Sequence, residues 1–215
     1  FTSPRASLAY SLEAARSRLS LNANFNRNDI DGFTEIFDPT LGATLLVSDS
    51  GERTTTGFGA ELELGTQGPF GVTFSLSQRS IDYDGTTSTS LFDQETYRLG
   101  VDTSFDISPV LDANLDFSAS RYEAEDVSMT ERDTRSVTFG LTYAASSITT
   151  VTFSTGWRRI DSTTNGLSEG GEWSLGVARD LPRGGLSVDL SRSRSFAGAR
   201  NDLVATWDVD LPAGG

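Results

Sequence analysis

Residues 134–157 alternate apolar and polar with a period of two, reverse, and alternate again. Val137, Phe139, Leu141 and Tyr143 are separated by Thr138, Gly140 and Thr142. After a polar break at 144–148, Val151, Phe153, Thr155 and Trp157 are separated by Thr152, Ser154 and Gly156. Successive side chains of a strand point to opposite faces, so the stretch predicts an antiparallel hairpin. One of its faces is apolar and aromatic, the other small and polar.

The same pattern recurs along the chain and predicts eleven strands. Leu8, Tyr10 and Leu12 alternate with Ser7, Ala9, Ser11 and Glu13, and Leu19, Leu21, Ala23 and Phe25 with Asn22, Asn24 and Asn26. Three asparagines on one face suit a wet surface better than a dry core. Phe58, Leu62 and Leu64 oppose Gly57, Gly59, Glu61 and Glu63, and the alternation continues to Leu203, Ala205 and Trp207. Short turns at 15–17, 67–70, 107–110, 144–148 and 181–185 alternate with longer polar connections at 28–55, 82–93, 123–133, 161–171 and 193–200. The longest, 28–55, contains an apolar stretch at 41–47, read as a short strand, a lid or an inward-folded segment.

Regular alternation of short turns with longer loops is the pattern of outer-membrane barrels and is less expected of a Greek-key sandwich. The fold class predicted is therefore all-β, an antiparallel up-and-down transmembrane β-barrel, with residues 1–215 as a single barrel domain or a piece of one. An even strand number is usual for such barrels, and Asp180-Leu-Pro-Arg-Gly-Gly185, which leads into another strand, matches the 210–215 stretch. Both observations point to a barrel of twelve or more strands. Hydrophobic residues make up only 36% of the chain, low for a thick apolar core but suited to strands apolar on one face.

The composition excludes much chemistry. With no Cys, no His and 17 basic residues that are all arginine, His-based acid/base catalysis, thiol chemistry, Cys/His metal centres and Ser/Lys nucleophiles are absent. No enzyme activity, cofactor or metal is expected. Asn28, Asp29 and Asp31, and Asp82 with Asp84, are oxygen-rich but lack an ordered calcium-loop spacing. A net charge of -13 argues against a nucleic-acid partner.

Charge facing hydrocarbon costs about 2–4 kcal/mol for Arg near the midplane, so the charged face is placed inward. The candidate acidic lumen residues are Glu13, Glu61, Glu63, Asp102, Asp106, Asp112, Asp116, Asp180, Asp208 and Asp210, most of them near short turns. The candidate basic lumen residues, Arg79, Arg98 and Arg158, lie nearer the long loops. These charges either bias solute passage or pair across the wall and keep the interior hydrated. Tyr97, Trp157 and Trp173 near one set of strand ends, and Phe105 and Tyr143 near the other, predict two interfacial aromatic girdles. Arg135, Arg159 and Arg192 share the apolar parity at the loop ends, where they reach headgroups or the sugar-phosphate layer.

The stretch YRLGVDTSFDISPVLDANLDFSASRYEAED, followed by SVTFGLTYAASSITTVTFSTGWRRIDS, resembles proteobacterial outer-membrane β-barrels, in particular porins associated with exopolysaccharide or surface-polysaccharide loci. Those proteins repeat a strand, a short turn often containing Ser-Pro, a strand ending in Arg or Tyr, and a polar loop. The turns at 67–70 and 181–185 lack the Ser-Pro form. The resemblance implies an outer-membrane location and passage of small solutes or polysaccharide, with membrane lipid, surface polysaccharide and protein-complex partners as the surroundings. The alternative expectation is a structural or assembly barrel with a plugged lumen, anchoring a larger complex or translocating an attached polypeptide.

Overall fold

The computed structural model describes residues 3–38, 43–65, 68–85, 91–126, 128–195 and 198–209. Eleven strands form one antiparallel meander in chain order: β1 (Arg5–Ala14), β2 (Ser17–Asp38), β3 (Ala43–Leu64), β4 (Phe70–Asp84), β5 (Gln94–Ser108), β6 (Leu111–Ala124), β7 (Thr130–Ser146), β8 (Thr149–Ser162), β9 (Gly166–Leu181), β10 (Gly184–Ser195) and β11 (Gly198–Val209). Number and order are those the alternation predicts. Among the described residues no ladder joins β1 to β11, so the sheet is open rather than closed. The two edge strands run in the same direction, and a ladder made directly between them would be parallel.

Exposure marks the open edges. Leu8 on β1 is 70% exposed and Leu203 and Trp207 on β11 are 69% and 72% exposed, whereas Val188 and Leu190 on the flanked β10 are 40% and 38% exposed. Each edge strand has one hydrogen-bonded neighbour where β10 has two, which accounts for the difference.

The sheet has no second layer among the described residues. Among the described residues the buried apolar side chains are Ala113, Ala124 and Ile160, and no large side chain is fully buried. The large residues Phe58, Phe74, Leu99, Phe117, Phe139, Phe153, Leu175 and Leu186 instead lie exposed on one common face. A sandwich would cover that face with a second sheet at about 10 Å. Here the face requires an apolar surrounding.

Four of the five long connections are mostly strand, among them 193–200, where Ser193, Arg194 and Ser195 pair with Arg200, Ala199 and Gly198. Residues 28–55 continue β2 and β3 as a projecting ladder from Asn28↔Arg53 up to Asp38↔Ala43. The apolar stretch begins outside the described residues at 41–42, and its remainder pairs with 34–38 as part of β3 rather than folding inward as a lid. At 161–171 only 163–165 form a turn, because Ser162 pairs with Gly166. At 123–133 the strands run to Ala124 and restart at Thr130. The physical reason is common to all four: beyond the apolar zone the backbone groups still need partners, so the ladder persists without strict apolar alternation.

The short turns are compact. Ala14 pairs with Ser17 across a two-residue turn. The β5–β6 and β7–β8 turns share one construction. Each has a register shift, at Asp106/Ser108 and Ala144/Ser146, followed by a serine whose Oγ accepts the amide two residues on, at 3.4 Å from Val110 and 3.3 Å from Ile148.

Candidate functional site: the polar face of the sheet

The register fixes how the two faces sit in space. Following the ladder from Tyr97 on β5 leads through Arg121, Asp133 and Asp161 to Leu167 on β9. The aromatic top of the apolar zone on β9 is Trp173, six residues beyond Leu167 after four steps between strands. The zone thus slides about 1.5 residues per strand. With a rise of ~3.3 Å per residue and strands ~4.8 Å apart, a strand tilt of roughly 45° makes it level. Membrane barrels tilt their strands by about 35–45°. The lower aromatics slide in the same direction by about one residue per strand, since Phe105 leads along the ladder to Leu141 and Tyr143 lies two residues further down β7.

Local chemistry fits this placement. The Tyr97 hydroxyl donates to Glu95 at 2.7 Å, drawing the phenol towards the polar zone above. Phe105 packs on Phe70 near the turns, with ring centroids 5.0 Å apart. Thr103 is polar within the apolar stripe, and its hydroxyl donates to the Leu115 carbonyl at 2.9 Å. A hydroxyl satisfied in that way tolerates an apolar surrounding. Above Trp157, Arg135 stands directly opposite Arg159 on the apolar-parity face, with Asp133 opposite Asp161. Arg159 also reaches Asp161 at 3.7 Å and Glu169 at 4.0 Å.

The polar face carries glycines beneath neighbouring polar side chains. The Asn24 amide lies over Gly57, the Asn22 amide over Gly59 and the Asn114 amide over Gly140, each where a Cβ would stand. Ser75 does the same over Gly100. Hydroxyl pairs bridge strands elsewhere, Ser118 to Ser136 and Ser154 to Ser174, both at 2.7 Å. The sequence shows the small residues but not which polar group covers which glycine, because that depends on register.

The acidic candidates divide into groups. Glu13 pairs with Arg18 at 3.5 Å on the β1–β2 ladder. Glu63, Asp102 and Asp116 lie on one ladder row through Thr73, and Asp102 stands directly opposite Asp116. Asp106 and Asp112 form a second opposed pair nearer the turn, and Glu61 lies two residues above Glu63. The acids on β3, β5 and β6 make a sector rather than a ring, since β7 and β8 place Thr142 and Thr152 on the row of Asp112. Asp180 and Asp208 share a separate row through Gly185 at the far turn end. Asp210 lies outside the described residues.

The basic candidates differ from one another. Arg158 is held at 3.4 Å by Glu172, an ion pair that leaves its buried Nε without a hydrogen bond. Glu172 was not among the sequence candidates. Its parity placed it on the polar face, but only the register puts it diagonally next to Arg158, whose direct partner is Gly170. Arg79 and Arg98 are diagonal neighbours on β4 and β5, with Arg79 opposite Thr96 and Arg98 opposite Ser77. They border a cleft of about 430 Å³ shared with Asn22, Asn24, Thr55 and Ser77. On the same row Arg132 lies over the Tyr122 ring, 5.4 Å from its centroid. Among the described residues no group of three or more acidic side chains is arranged to hold a metal ion.

OmpTdeltaL8, a loop L8 deletion mutant of the Vibrio cholerae outer membrane protein OmpT, superposes with a TM-score of 0.52 at 10% identity, covering 94% of this chain and 88% of that one. In-vitro folded OmpT of Vibrio cholerae gives 0.51 at 11% identity, covering 97% and 85%. The fold is that of an outer-membrane protein. No protein-family model and no curated protein matches the sequence. The likeness is one of strand architecture over nearly the whole chain, and site residues are not carried across at this identity.

Proposed function

We propose that this chain forms the wall of an outer-membrane channel or export pore that passes small solutes or polysaccharide through a polar, charge-lined lumen, without a cofactor. The observation that carries the reading is the division of the single sheet. One face is a continuous apolar zone made level by barrel-like tilt. The other is paved with Gly, Ser, Thr and Asn and carries separated acidic and basic groups. Such a face needs water along its whole height, which a conducting lumen supplies.

The test is conductance of the purified, folded protein in planar bilayers, with reversal potentials in a salt gradient. The reading expects discrete conductance steps and an ion selectivity that shifts when Arg79 or Arg98 is changed to Gln. Folded, inserted protein without conductance would defeat it.

The projecting β2–β3 ladder favours a second reading. Paired strands continuing from Asn28 to Asp38 offer a partner-binding surface of the kind an assembly barrel needs. That reading expects a stable protein partner after gentle extraction, lost when 30–50 is replaced by a short turn.

A further inference from the structure

Arg79 and Arg98 stand apart from Arg18, Arg132 and Arg158 on the polar face. Arg18 is neutralised by Glu13, Arg158 by Glu172, and Arg132 stacks on Tyr122. Among the described residues Arg79 and Arg98 make no ion pair, although the chain carries 30 acidic residues against 17 basic ones. Their positions on neighbouring strands, one diagonal step apart, put both guanidinium groups on one side of the cleft. Across it Asn22 and Asn24 lie flat over the glycine floor of Gly59 and Gly57. Ser77 and the buried Thr55 add hydroxyls.

We propose that Arg79 and Arg98, with Asn22 and Asn24, form a subsite for a solute that carries an oxyanion on a hydroxyl-rich body, such as a sugar phosphate or a uronate. This rests on the channel reading for access and deepens it by naming the class of solute retained. Guanidinium groups present planar, fixed donors that match carboxylate and phosphate oxygens. Amide and hydroxyl groups both donate and accept, as sugar hydroxyls require. The cleft volume of about 430 Å³ falls in the range of small-molecule sites, ~300–1,000 Å³. The acidic sector of Asp102 and Asp116 lies four residues and more along the strands from Arg98, so it repels the anion from the turn end without neutralising the pair. An anion arriving from the loop end meets the arginines first.

The experiment is calorimetric titration of the folded protein in detergent micelles with glucose 6-phosphate, glucuronate and glucose, in parallel with bilayer conductance. The proposal expects binding of the first two and not of glucose. Arg79→Gln and Arg98→Gln should each weaken binding at least about tenfold, the loss of one charge-assisted contact. Arg183→Gln, an equal charge change at a short turn, should leave it intact. Phosphate against uronate preference identifies which oxyanion source the site takes. Glucose binding as tight as glucose 6-phosphate, absence of all binding, or wild-type affinity in both lumen variants would overturn the proposal. Conductance without binding rejects this subsite and keeps the channel; binding without conductance rejects the channel and keeps the subsite.

Discussion

Asp102 and Asp116 stand directly opposite each other on the polar face, and Asn114 donates to Asp116 at 2.5 Å from the same strand. Like charges in directly opposed positions destabilise a ladder, by about 0.2–1 kcal/mol for an ordinary pair. Asp102→Asn removes the repulsion and supplies a second amide donor towards Asp116. The expected outcome is a gain of roughly 0.5–1 kcal/mol in urea unfolding of vesicle-inserted protein. A loss would show that the pair is held by a bound cation or a shared proton.

Glycine on the polar face predicts a contrast between two substitutions. At Gly156 a Cβ would run into the Val137 carbonyl oxygen and lie 3.1 Å from the Thr138 Cα, which are backbone atoms that cannot turn aside. At Gly57 it would meet only the end of the Asn24 side chain. Gly156→Ala is expected to cost about 1–3 kcal/mol, the usual range for overpacking, and Gly57→Ala clearly less. Unfolding in denaturant checks the order; equal costs would contradict the register.

Asp126 organises the β6–β7 turn, outside the apolar zone. Its Oδ2 accepts the Thr130 hydroxyl at 2.6 Å, and its Oδ1 accepts the amides of Thr130 at 2.9 Å and Ser128 at 3.1 Å. The Thr130 hydroxyl is the main cause holding this carboxyl below the ordinary value of 3.8, partial burial opposes it, and the two amides add to the lowering. A carboxyl lowered on folding stabilises the turn fully above its unfolded value and loses that effect as pH falls through the folded one. Protection of the Ser128 and Thr130 amides, taken relative to the intrinsic exchange rate at each pH, should therefore hold at pH 4 and fall below it. Thr130→Val should move the transition upward. A midpoint at or above 3.8 in the unaltered protein would contradict the account.

The strand pattern was legible where one face is apolar. Val137, Phe139 and Leu141 fix their own parity because every alternate residue is small and polar, and a one-residue slip would turn the whole set over. The pattern ended at 28–55 and 161–171 because Thr54, Thr55, Thr56 and Ser162 lie in ladders without that alternation. Parity also put Arg158 and Glu172 on one face. It could not make them neighbours, because that depends on the β8–β9 register, set by the turn at 163–165. The separation of the unpaired Arg79 and Arg98 from the paired Arg158 is likewise a property of register. Closure is a further case, since alternation determines each strand's faces and says nothing of what flanks β1 and β11.

An outer-membrane sheet of this kind sets one face against lipid and the other against water. The chain contains no cysteine, so single cysteines can be introduced from 136 to 143 on β7 without altering a native thiol. Each would carry a nitroxide label in protein reconstituted into liposomes, and collisions with oxygen and with a water-soluble nickel complex would be measured. The account predicts a period of two: oxygen dominates at 137, 139, 141 and 143, and nickel dominates at 136, 138, 140 and 142. Nickel access at every position, or oxygen access on both faces, would contradict it.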